Sequence, residues 1–276
     1  YEEAVRIDPS AGNRFSLGQA YLKTDRYVDA ESQFRAVEQL NPKSPNGLYG
    51  IGLTLSAQKR HEDAIRQFQA AVQLDRNFYD AYAEMGYAYA DLQNLDRAQE
   101  LVDFLDIRSP VLAETLSRYM YTAESPKFSF ANATSTFPYY LTNRTPGSAL
   151  DSYLIDAGAE QLFTMKFQFS KEMDRDSVEN IHNWTILRST ASGPGEAYNF
   201  GFPVPDTEFQ PSLFPEMIIY DAEGMSATVY FKVKQNEAGD GTIDPAHIEF
   251  RFKGTDTFGL SMDEHFDQFT GFSGIY

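Results

Sequence analysis

Asn46-Gly47-Leu48-Tyr49-Gly50-Ile51-Gly52-Leu53-Thr54-Leu55 and, past a turn at Gln58-Lys59-Arg60, Glu62-Asp63-Ala64-Ile65-Arg66-Gln67-Phe68-Gln69-Ala70-Ala71 decide the fold of the first half of the chain. Their landmarks recur on both sides. Gly18, Gly52 and Gly86 fall thirty-four residues apart, with Leu17, Ile51 and Met85 just before them and Tyr21, Leu55 and Tyr89 three after. Ala30, Ala64 and Ala98 follow twelve after each glycine, and Phe34, Phe68 and Val102 sixteen after. A period of this length belongs to a helix–turn–helix unit. Small residues let the two helices cross closely, while large apolar ones fill the space between neighbouring repeats. Within the quoted copy, a first helix runs from Asn46 to about Ser56 and a second from Glu62 to Leu74, where Ala64, Ile65, Phe68, Ala71 and Val72 recur at helical spacing.

The pattern resembles the tetratricopeptide repeat family, most fully over residues 46–79, where Ile51-Gly52, Leu55, Ala64, Phe68 and Ala71 stand at its signature positions. The proline that usually closes a repeat appears as Pro42 and Pro110 and is replaced by Arg76 in the middle copy. The resemblance implies an α-solenoid over 1–124: a partial repeat 1–11, repeats 12–45, 46–79 and 80–113, and a capping helix 110–122. Ser109-Pro110 starts that last helix, with serine capping it and proline in the first turn, where its missing N–H costs nothing. The opening Tyr1-Glu2-Glu3-Ala4-Val5 reads like the tail of a second repeat helix, so earlier helices are expected upstream.

Composition narrows the function classes. The formal net charge of −17 argues against nucleic acid, because phosphate binding needs a basic face. It equally disfavours an anionic membrane surface, and no apolar run approaches a membrane span, so no membrane insertion is expected. The absence of cysteine excludes disulfides and thiolate chemistry. Sequons at Asn132, Asn143 and Asn183 read as chance matches.

From Ser125 onward the helical spacing gives way to alternation punctuated by turn residues. Gln161 to Phe169 places Phe163, Met165, Phe167 and Phe169 on one face of a strand. Trp184–Leu187, Met217–Tyr220, Thr228–Val233 and Ile248–Phe252 read as further strands, separated by proline- and glycine-rich stretches, and together they predict an antiparallel sandwich over 125–276. Phe167-Gln168-Phe169-Ser170-Lys171-Glu172-Met173-Asp174, then Ser177-Val178 and Asn183-Trp184-Thr185-Ile186, resemble bacterial immunoglobulin-like modules of secreted and surface-layer proteins. Gly254-Thr255-Asp256-Thr257-Phe258-Gly259 is similar to a turn near such a module's last strand. The insertion Ser189–Pro215 and the tail beyond Met262 depart from that pattern. The expected chain is therefore multidomain α plus β, an α-solenoid followed by an immunoglobulin-like β-sandwich, hinged within Tyr121–Phe128 at Glu124-Ser125-Pro126.

Catalytic chemistry finds little support. His61, His182, His247 and His265 are scattered, and His61 reads as an exposed turn residue. Gly271-Phe272-Ser273-Gly274 lacks the glycine spacing and the following helix of a nucleophile turn. Gly239-Asp240-Gly241 is no phosphate loop. Asn236 to Asp244 resembles part of a calcium loop, but position three is Ala238 and position twelve is His247, and a tight hairpin explains Asp240-Gly241 equally well. No catalytic residue, cofactor or metal site is predicted.

A partner surface is the remaining candidate. In repeat arrays of this kind the first helix of each repeat lines the concave face. Counted from the shared glycine, the inward positions hold Phe15, Gln19, Leu22 and Lys23, then Tyr49, Leu53, Ser56 and Ala57, then Ala83, Tyr87, Ala90 and Asp91. Family members that clamp a terminal carboxylate use Lys, Arg and Asn at such positions, and only Lys23 has that character here. Phe15, Tyr49, Leu53 and Tyr87 instead suit an amphipathic helix or extended apolar segment of a protein partner; self-association, or filling of the groove by the chain's own segments, is the alternative. The expected protein is a non-enzymatic interaction scaffold of the bacterial envelope or cell surface, periplasmic or secreted, with the immunoglobulin-like module as spacer or second docking site. A carbohydrate- or calcium-dependent adhesion module, using aromatic loops between Tyr198 and Phe214, is the rival reading.

Overall fold

A computed structural model describes residues 1–131, 134–192 and 195–271, and the chain divides into two compact units, Tyr1–Glu124 and Ser125–Tyr276. The sequon at Asn132 and residues Phe272 to Gly274 of the nucleophile-like turn lie outside the described residues.

The first unit is helical: α1 (Glu2–Ile7), α2 (Ala11–Leu22), α3 (Tyr27–Leu40), α4 (Asn46–Ala57), α5 (His61–Leu74), α6 (Tyr79–Asp91), α7 (Leu95–Asp106) and α8 (Pro110–Ala123). Ala30, Ala64 and Ala98 are fully buried, as are Phe34 and Phe68. The reason lies in the glycines. A Cβ on Gly52 would stand 2.4 Å from Phe68 Cε1, and one on Gly18 2.7 Å from Phe34 Cε1, so the phenylalanine ring occupies the space a side chain would need. In the third repeat Val102 is too short to reach, and a Cβ on Gly86 would instead meet Leu116 Cδ2 of α8 at 2.4 Å. The last helix thus replaces the missing ring.

Each turn between the paired helices carries a left-handed residue, Asp25, Lys59 and Gln93, at φ of 56°, 59° and 57°. The next N–H reaches back five residues, from Arg26 to Tyr21 O, Arg60 to Leu55 O and Asn94 to Tyr89 O, at 2.9–3.0 Å. These are Schellman closures, which satisfy carbonyls that the helix end leaves open. Ser109 precedes α8 and Pro110 opens it as expected, but the Ser109 hydroxyl makes no cap hydrogen bond; its carbonyl accepts the Ala113 N–H at 3.1 Å instead.

In the second unit, β1 (Phe128–Ala131), β3 (Glu160–Phe169), β6 (Ser226–Lys234) and β5 (Met217–Asp221) form an antiparallel sheet in that order. A second sheet is ordered β4 (Trp184–Arg188), β8 (Ile248–Phe252), β9 (Gln268–Phe269), and β2 (Thr145–Pro146) pairs with β7 (Thr242–Ile243). Two short helices, α9 (Gly147–Leu150) and α10 (Arg175–Glu179), complete it. Both larger sheets contribute to one core: Phe163, Met165, Phe167 and Phe169 of β3 are at most 1% exposed, and Phe167 lies 5.6 Å from Trp184 and 5.4 Å from Phe250. Asp174 caps α10 by accepting the Ser177 N–H at 2.7 Å, and the Trp184 indole donates to Val178 O at 2.8 Å, which ties the Met-Asp turn to β4. Lys171 and Asp256, both buried, pair at 2.7 Å.

Candidate functional site

The first helices α2, α4 and α6 pack in succession, and α8 packs against α6. On α2, Phe15 is half-buried with its ring edge-on to Phe34 at 5.3 Å, while Gln19 and Lys23 are exposed and Leu22 is half-buried. On α4, Tyr49 packs on Phe68 and Phe78 at 5.9 and 4.8 Å, Leu53 is half-buried beside the same core, and Ala57 is exposed. On α6, Tyr87 packs on Tyr119 of α8 at 4.9 Å and its hydroxyl lies 3.2 Å from Thr115 Oγ1. Asp91 accepts the Tyr119 hydroxyl at 2.5 Å.

Two expectations need correction. Ala83 and Ala90 are buried, not lining: Ala83 belongs to the cluster in which α8 places Ala113 and Leu116, so the cap closes that part of the face. His61 is no solvent-exposed turn residue. It opens α5 with its side chain 15% exposed and Nδ1 3.4 Å from Asp91 Oδ2. The aromatic insertion is divided: Tyr198 and Phe209 belong to the core of the second unit, while Phe200, Phe202 and Phe214 are exposed. The Phe209 N–H donates to Thr242 O at 3.1 Å and the Ser212 N–H to Lys232 O at 2.9 Å, which pins the insertion to the sheet.

Sequence reasoning missed two acidic residues on the same face. Asp80 and Glu84 precede Tyr87 and Asp91 on α6 at spacings of four, three and four, which stacks all four on one stripe. Tyr49 of α4 lies within electrostatic reach of Asp80, Glu84 and Tyr87, and Tyr119 within reach of Glu84, Tyr87 and Asp91. Glu84 has no ion-pair or hydrogen-bond partner among the described residues; burial first, then the neighbouring Asp80, pushes its carboxyl up to about 7. The same combination of desolvation and nearby carboxylates raises the Tyr49 phenol. The column itself gave no warning, since its occupants are Ser16, Gly50 and Glu84.

The second unit carries no assembled reaction centre among its described residues. His247 Nδ1 meets Asp244 Oδ2 at 2.7 Å, but Nε2 lies 2.8 Å from Gly195 O, so the pair anchors the insertion. Asp244 Oδ2 also accepts the Asn199 N–H at 2.8 Å, turning it away from the acidic hairpin. In that hairpin the Gln235 side chain accepts the Asn236 and Gly241 N–H groups at 2.9 and 3.0 Å. No three His, Cys, Asp or Glu side chains converge on a metal position among the described residues. The Asn143 amide donates to Asn199 Oδ1 at 3.2 Å and that of Asn183 to Ser177 O at 2.8 Å, so both sequon amides are engaged within the fold. No helix among the described residues is long and apolar enough to cross a membrane.

Residues 15–78 match the model of the tetratricopeptide repeat family. Over 106 residues the chain is 30% identical to Superkiller complex protein 3 of Mus musculus, covering 38% of this chain and 6% of that protein. Over 87 residues it is 31% identical to tetratricopeptide repeat protein 13 of Homo sapiens, covering 32% of this chain and 10% of that one. The chain thus spans a tenth or less of the length of these relatives. Among solved structures it is similar to the first TPR of Spaghetti (RPAP3) bound to an HSP90 peptide, at 22% identity and a TM-score of 0.38, covering 42% of this chain and 93% of that one. The chain carries a helical region, matched over residues 15–78 by the tetratricopeptide repeat model, followed by a strand-rich region.

Proposed function

We propose that the first unit is a non-enzymatic interaction module whose first-helix face, built from Phe15, Gln19, Lys23, Tyr49, Leu53, Tyr87 and Asp91, binds a segment of a partner protein. The observation that carries this reading is the row of half-exposed Phe15, Tyr49, Leu53 and Tyr87 at repeat-equivalent positions, where rigid aromatic and aliphatic groups remain accessible beside a packed core. We read the second unit as an immunoglobulin-like spacer or second docking site and the setting as a bacterial envelope or surface. The immunoglobulin-like part of that reading is supported by the capped Met-Asp turn and the core shared by two antiparallel sheets. A photo-crosslinking residue placed at Leu53, and separately at the exposed Val28 of α3, tests the face in the native host. Partner adducts from position 53 and not from 28 are expected; adducts from 28 alone would overturn the assignment.

A further inference from the structure

We propose that this face selects a partner segment bearing a lysine or arginine side chain, which docks against Glu84 beside the rings of Tyr49 and Tyr87. The inference rests on the partner-binding reading of the same face and adds the chemistry of what is bound.

Charge complementarity carries it. Neither α4 nor α6 contains a single Lys or Arg, while α6 supplies Asp80, Glu84 and Asp91 to one stripe. The three carboxylates are not equivalent. Asp91 is engaged by the Tyr119 hydroxyl at 2.5 Å and approached by His61, and Asp80 is exposed to water. Glu84 is half-buried, less exposed than Asp80, and unlike Asp91 makes no hydrogen bond or ion pair among the described residues. A half-buried carboxylate without a counter-charge is unfavourable, and a cation arriving from outside offsets that cost. Tyrosine faces add attraction for the same ligand, most strongly for a guanidinium.

A guanidinium, with five N–H donors and a flat face, can meet a carboxylate and stack on a tyrosine ring together, which an ammonium does less well. An acidic or C-terminal carboxylate ligand would meet like charge here, so the selectivity is opposite to that of a carboxylate clamp.

The test uses the full chain and three fluorescein-labelled nonapeptide pools. Their flanking positions are drawn from Ala, Leu, Phe, Ser and Tyr, and the central residue is arginine, leucine or glutamate. Fluorescence anisotropy is expected to rank the arginine pool about tenfold tighter than the leucine pool, with glutamate weakest. Glu84→Gln should bring the arginine and leucine pools together, and Glu84→Lys should favour the glutamate pool, both at unchanged helical circular dichroism. Equal binding of arginine and leucine pools to the native chain, or an arginine preference that survives Glu84→Gln, overturns the charge proposal. In either case binding of the leucine pool that is lost on Leu53→Asp leaves the partner-binding face standing. If no pool binds the native chain, the face itself is misassigned and both readings fall.

Discussion

Glu84 links stability and recognition at the scale of one residue. Its carboxyl sits at about 7, above the ordinary carboxylate range of an unfolded chain, because the fold buries it next to Asp80. The folded state therefore holds its proton more tightly than the unfolded state. The associated stability is fully present below about pH 4.5 and is lost as pH rises through 7. Glu84→Gln is expected to raise the stability of the helical unit at pH 8 by on the order of 1–3 kcal/mol and to flatten its dependence between pH 5 and 8, measured by urea unfolding at 222 nm. A variant no more stable than the native chain at pH 8 would show that the carboxylate is well solvated. The groups facing Glu84 are Tyr49 from α4, Asp80, Tyr87 and Asp91 from α6, and Tyr119 from α8, with His61 of α5 beside Asp91. Cation binding should weaken as pH falls below 7, because the neutral acid offers no counter-charge. Gly52 defines the other extreme: Gly52→Val would drive a methyl into Phe68, and a loss of about 1–3 kcal/mol is expected from the same unfolding experiment, with ligand-pool ranking unchanged at low temperature.

At the scale of elements, the left-handed residues that close α2, α4 and α6 are unused stability. Asp25, Lys59 and Gln93 occupy a conformation that glycine adopts without steric penalty. Lys59→Gly is expected to leave the Schellman closure intact and raise stability by up to about 1 kcal/mol in thermal melts; a clear loss would mean that unfolded-chain entropy outweighs the relieved strain. The helices themselves were legible. The reading of Asn46 to about Ser56 and Glu62 to Leu74 stands beside α4 at Asn46–Ala57 and α5 at His61–Leu74, because recurring small and large residues record the packing contacts directly. The left-handed turns were not, since no glycine marks them. The burial of Ala83 was also hidden: it depends on α8 folding over α6, a tertiary contact that a repeat period does not encode. In the second half, alternation located β3, β4, β5, β6 and β8 to within a few residues. The two-residue strands β2, β7 and β9 are too short to carry a period.

For the whole molecule, α8 continues through Ala123, Pro126 already accepts the Asp263 N–H at 2.9 Å and Lys127 is bonded to Ser170, so the chain passes from one unit to the other at Glu124 and Ser125. Each unit has its own buried clusters. Fragments 1–124 and 125–276 are therefore expected to melt cooperatively when produced separately, by calorimetry; a molten fragment would contradict this independence. The insertion shows where composition misleads. Its prolines and glycines rightly signal irregular backbone, but they say nothing of whether its aromatics are buried: Tyr198 bonds Glu208 within the insertion, and Asp244 and Thr242, far along the chain, hold Tyr198 and Phe209.

The most direct measurement of the partner-binding face is amide hydrogen exchange of the full chain with and without the arginine-centred peptide pool. Added protection is expected over Tyr49–Leu53 of α4 and Asp80–Asp91 of α6, and not over α3 or α7. Protection confined to α3 and α7, or to the strands of the second unit, would contradict the assignment.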